Sequence, residues 1–102
     1  MADSVISVEV SEQGLQLQGD LVYSSVSDVI KAGDDLLRQH QGENVIINCK
    51  KINRLDSAGI SLLIEWKRLC LKLNKKCQFE GLPQQAVALL KTYKLNNLLA
   101  LA

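Results

Sequence analysis

With 102 residues, the chain has room for a single hydrophobic core and is expected to be one domain over 1–102. Hydrophobic residues make up 47% and charged residues 23%, with one proline and six glycines, a balance that suits a soluble globular domain and excludes disordered or low-complexity classes. Twelve basic against eleven acidic residues leave a formal charge of +1, which excludes the phosphate-backbone chemistry of nucleic-acid binding.

The N-terminal "MADSVISVEV" has neither a basic leader nor an apolar signal core. Uninterrupted apolar runs reach about five residues, far short of the roughly 20 that span a bilayer, so the expectation is a cytoplasmic chain with no direct membrane insertion. In "VISVEV", Ile6, Val8 and Val10 alternate with polar residues, and in "GLQLQG" Leu15 and Leu17 do the same. The two runs, joined by "SEQ", predict a hairpin over 5–19 with one solvated face.

From Ser24 to His40 the positions Val26, Val29, Ile30, Gly33, Leu36 and Leu37 recur at helical spacing, and Gly42 follows as a stop signal. Gly33 on the apolar stripe predicts a close packing contact. "NVIINC" at 44–49 is continuously apolar, the pattern of a central strand covered on both faces, and a basic loop is expected after it. A second helix is expected over 57–74, a short strand over 77–81, and a third helix after Pro83 with Ala86, Leu89, Leu90 and Tyr93 on one face. The strand, helix, strand order over 44–81 makes a parallel βαβ crossover. The expected class is α/β, a small mixed sheet of about four strands packed with three main helices.

Chemistry-bearing motifs are few. The only histidine, His40, falls near a helix end, where an imidazolium is favoured by the macrodipole. Neither nucleotide-binding glycine signature is present, and Asp56 beside Ser57 lacks the positioned base that a nucleophile needs. Cys49, Cys70 and Cys77 have apolar surroundings and no metal-ligand spacing, which predicts reduced core thiols. The reading is a chain that is not an enzyme, with no cofactor and no metal.

The informative stretch is "RLDSAGISLLIEWKR". On a helical wheel, Ala58, Leu62, Leu63, Trp66, Leu69, Cys70 and Leu73 form one wide apolar arc, sufficient to pack the helix on a sheet. Ser61, Glu65, Arg68 and Lys72 form a polar edge, with Glu65 and Arg68 three residues apart. Ile60, Ile64 and Leu71 make an additional stripe beyond it. Two readings stand: a neighbouring helix covers Ile60 and Ile64, or the stripe docks a partner. Asp56 and Ser57 suit a helix N-terminus, where their oxygens accept unpaired N–H groups. The bare first turn at Ala58 and Gly59 suggests the close approach of something else. A phosphoryl group on Ser57 would lie at the positive end of the helix dipole and be tolerated there.

The order hairpin, helix, buried strand, "LDSAGISLL", strand, helix resembles the STAS domain family, shared by anti-sigma factor antagonists and sulfate-transporter tails. Within it, the segment "LDSAGISLLIEWKRLCLKLNKKCQFEGL" and the ending "LLKTYKLNNLL" look most like the MlaB-like branch, small STAS subunits of phospholipid-transport ABC complexes. That resemblance implies a non-catalytic subunit that binds and supports an MlaF-like ABC transporter ATPase subunit, peripheral to the inner membrane through its complex. It makes Asp56, Ser57, Ala58, Gly59, Ile60, Ser61, Ile64 and Glu65 the candidate partner-binding residues. The MlaB-like branch often carries Thr-Gly-Gly where this sequence has Ser57, Ala58 and Gly59, and serine is also what phosphoregulated antagonists carry. The alternative that the resemblance leaves open is an anti-sigma factor antagonist controlled by phosphorylation of Ser57.

Overall fold

The computed structural model describes residues 5–92. Strands β1 (Ile6–Ser11) and β2 (Gly14–Leu21) form the expected hairpin, closed by the Ser11–Gly14 pair around a two-residue turn. A short 3-10 turn at Val26–Asp28 leads into α1 (Ile30–Gln39), followed by β3 (Asn44–Leu55), α2 (Ser57–Lys72), β4 (Lys76–Glu80) and α3 (Gln84–Thr92). The sheet order is β1-β2-β3-β4, with β1 antiparallel to β2 and the other two pairings parallel. The fold is a mixed four-stranded sheet with three helices, and β3 is interior, paired on both edges as expected. It is not covered on both faces as the continuous apolar run predicts: Val45, Ile47 and Cys49 are buried on the helix side, while Ile46 and Asn48, on the other face, are half-buried.

Two boundaries differ markedly from the sequence reading, each for a physical reason. The first helix starts near Ile30 rather than Ser24, because the Ser25 hydroxyl closes the preceding turn instead of capping a helix: it accepts the Val22 N–H and donates to the Asp20 carbonyl. Strand β3 runs on through "KKINR" to Leu55, where a loop was expected. Its register with β2 shifts between Gln16 and Gln18, so the buried residues pass from Val45, Ile47 and Cys49 to Ile52 and Leu55. Strict alternation is lost across that bulge, and the strand stops looking like one. The hairpin face is also incompletely covered, since Val10 is exposed beside the turn. Tyr93, expected on the α3 face, lies outside the described residues.

The core lies between the sheet and the helices. Leu15, Leu17, Val45, Ile47 and Phe79 are buried on the strands, facing Leu37, Leu63, Trp66 and Leu90 on the helices. The other sheet face is polar, with Glu9, Gln16, Asn48 and Glu80 in register across all four strands. Helices α1 and α2 meet where Trp66 lies on Gly33. A Cβ there would stand 2.7 Å from the indole Cη2, so only glycine lets the ring seat, and the Trp66 Nε1–H donates to Asp34 Oδ1 at 2.9 Å. No described helix is long and apolar enough to cross a membrane.

Candidate functional site

The junction between β3 and α2 is built around Asp56. Its Oδ1 accepts the Gly59 N–H at 3.1 Å, capping α2, while Oδ2 accepts the Tyr23 N–H at 2.9 Å from the loop after β2. One carboxylate therefore fixes both the helix start and the neighbouring loop. With the cap supplied by Asp56, the hydroxyl of Ser57 has no hydrogen-bond partner among the described residues and is exposed at the first position of the helix.

Gly59 answers the question raised by the bare turn. It is buried, and a Cβ on it would press on the Leu21 carbonyl oxygen and stand 2.5 Å from Leu55 Cδ1. The small residue admits the end of β2, inside the molecule.

The candidate residues thus separate into two groups. Gly59 faces inward, Asp56 is half-buried and committed to its two N–H partners, and Ile60 is only 7% exposed within the core cluster. Ser57, Ser61 and Glu65 are exposed, with Ala58 and Ile64 half-buried on either side of them. Helix α3 lies beside Ile60 and Ile64, as the covering-helix alternative has it, but leaves an open groove of about 440 Å³ floored by Leu55, Ile60, Ile64 and Leu89. Leu71, the third member of the expected stripe, is separate from both and 62% exposed. On the opposite flank of α2, a groove of about 620 Å³ separates it from α1. Glu65 and Arg68 pair at 2.7 Å, as their spacing predicts.

One residue escaped the sequence reading. Tyr23 is 83% exposed and is brought to the α2 N-terminus by its backbone bond to Asp56, a contact across 33 residues that no local pattern encodes. Its only signal is an aromatic residue outside any periodic stripe.

The cysteines are all buried and free. Burial pushes the Cys49 thiol up to about 12. Cys70 and Cys77 are neighbours: a hydrogen bond from Cys77 holds the Cys70 thiol below its ordinary value, and the same bond, with burial, holds Cys77 above it. His40 ends α1, its Nε2 2.8 Å from the Asn44 carbonyl oxygen. Among the described residues no group of acidic, histidine or cysteine side chains could hold a metal ion.

Nothing among curated protein sequences matches the chain. Among solved structures, it is similar to the anti-sigma factor antagonist SpoIIAA in its unphosphorylated form, with a TM-score of 0.70 at 15% identity, covering 96% of this chain and 88% of that one. At that identity the likeness establishes the fold. A family profile described as "Mlab, STAS domain" matches residues 5–100. Its span takes in the hairpin, both parallel crossovers and the Asp56–Ser57 junction, and the chain belongs to this MlaB-type STAS-domain family.

Proposed function

We propose that the chain is a non-catalytic STAS subunit that binds and supports the ATPase of an ABC phospholipid-transport complex maintaining outer-membrane lipid asymmetry. Membership of the MlaB-type family supports this reading. The observation that carries it is the outward strip of α2: Ser57 with its hydroxyl unspent, then Ser61 and Glu65 along the same face, flanked by the half-buried Ala58 and Ile64. A polar strip with apolar margins suits a reversible protein contact, whose rim is polar and whose anchors are few. In this reading the chain works in the cytoplasm and reaches the inner membrane through its complex.

The test is co-purification of the ABC ATPase with wild type and with Ser57→Glu. The added carboxylate lies at a helix N-terminus, where negative charge is tolerated, so the fold is retained while an unpaired charge enters the contact. Binding is expected to be lost with an unchanged melting profile. Undiminished binding places the contact elsewhere.

A second reading, an anti-sigma factor antagonist regulated at Ser57, is favoured by one observation: the exposed hydroxyl at the first position of α2 is accessible to a kinase. It predicts a kinase-dependent mass shift that Ser57→Ala abolishes.

A further inference from the structure

The grooves on the two flanks of α2 differ in chemistry. The smaller one, towards α3, has an apolar floor and the polar but uncharged Ser57, Ser61 and Gln85, with Asp56 already committed to backbone N–H groups. The larger one, towards α1, has Val26, Ile30, Ala58, Leu62 and Leu69 along its floor and sides. Ile30 is 42% exposed there, one of only a few large apolar side chains so placed among the described residues.

Charge is distributed unevenly along the larger groove. Its carboxylates are engaged: Asp34 accepts from Trp66 Nε1, and Glu65 pairs with Arg68. Arg38 and Lys72, in the last turns of α1 and α2, line the same groove, and among the described residues neither has a carboxylate within ion-pair distance. Lys75, outside the groove lining, spends its ammonium on the Leu37 and His40 carbonyls at the end of α1. Helix C-termini favour cations, which explains why Arg38 and Lys72 are comfortable there. It does not explain an apolar trough that leads to them.

We infer that the α1–α2 groove receives an amphipathic helix of the partner protein, apolar on its inserted face and acidic at the end lying over Arg38 and Lys72. This rests on the reading that an ABC ATPase docks at α2. A helix laid between two helices buries its apolar residues at three- and four-residue spacing, and complementary charge at one end fixes its direction.

The probe is the purified ABC ATPase, captured by the full chain over a series of salt concentrations. Wild-type capture is expected to weaken as salt rises. Arg38→Glu with Lys72→Glu is expected to weaken it tenfold or more and to remove the salt dependence, with Arg38→Gln and Lys72→Gln intermediate. Ala58→Trp, which fills the floor, is expected to weaken capture, whereas Gln85→Trp, in the other groove, is not. Circular dichroism melts check each fold, and the glutamine pair serves if charge reversal at the helix ends prevents folding. Wild-type-like capture by the charge variants, with loss in Gln85→Trp, assigns docking to the α2–α3 groove and overturns the inference while the ATPase reading stands. A wild-type dimer that the charge variants convert to monomer assigns the groove to a second copy and also overturns it. Failure of wild type to capture the ATPase overturns the functional reading, and this inference with it.

Discussion

Replacing Gly59 with alanine tests whether the bare first turn of α2 serves the interior or a partner. The new Cβ would stand 2.5 Å from Leu55 Cδ1, 0.9 Å short of the 3.4 Å at which ordinary van der Waals contact begins, and would press on the Leu21 carbonyl oxygen as well. That oxygen belongs to backbone at the end of a central strand and cannot swing aside, so the N-terminus of α2 must retreat. Overpacking of this kind costs about 1–3 kcal/mol. Retreat also strains the Asp56 N–H to Leu21 carbonyl contact, already 3.4 Å long, and the 2.9 Å bond from the Tyr23 N–H to Asp56. Each such bond contributes about 1 kcal/mol. Alanine in a helix returns at most about 1 kcal/mol relative to glycine. The net loss is about 2–3 kcal/mol, and at about 4–8 °C per kcal/mol for a domain of this size the melting temperature falls by about 8–24 °C. Urea unfolding followed by the fluorescence of the single tryptophan, Trp66, gives the midpoint and slope directly. A Gly59→Ala chain as stable as wild type but unable to bind its partner would refute the interior assignment and return the turn to the contact surface.

Other outcomes follow from the same geometry. Asp56→Ala removes the cap and the tie to Tyr23 together and is expected to cost about 2 kcal/mol in urea unfolding, with the loop after β2 losing amide-exchange protection. Trp66→Phe keeps the ring over Gly33 but deletes the bond to Asp34, with an expected loss of about 1 kcal/mol read from the melting midpoint. At pH 8 the three thiols should resist a disulfide reagent in the native chain and react once it is unfolded, because all three are buried. Cys49 also sets an alkaline limit. Its native value of about 12 exceeds the ordinary 9.0, so the unfolded chain releases this proton first. The stability that Cys49 contributes is complete below pH 9 and is lost as pH rises towards 12, and Cys49→Ala should flatten that part of a stability-against-pH curve.

The parts of the fold legible in the sequence are those that repeat a local period. "VIINC" announces an interior strand, the alternation of Leu15 and Leu17 announces a hairpin, and Gly33 on an apolar stripe announces the tight helix contact that Trp66 completes. The illegible parts are those where one residue breaks the period or answers to a distant one. The β2–β3 bulge shifts the buried set from Cys49 to Ile52, which disguises the second half of β3 as a basic loop. Ser25 has the composition of a helix cap and spends its hydroxyl on a turn. At the candidate site, "DSAGI" located the junction but not the direction each residue faces. The depth of Gly59 depends on Leu21, and the wall that faces Ile60 across its groove is supplied by α3. Neither is a property of the stretch itself.

Asp56 holds two backbone N–H groups from segments far apart in sequence, and Gly59 is wedged against the strand beside it. The platform under Ser57 is therefore stiff, with no slack through which a change at the hydroxyl could propagate into the sheet. A charge placed on Ser57 alters what an approaching molecule meets and leaves the chain in the same conformation. If a partner docks over Ser57, as proposed, control at this position would act as a gate on encounter: its free energy would fall on the complex, and the isolated chain in either state would keep one shape and nearly one stability.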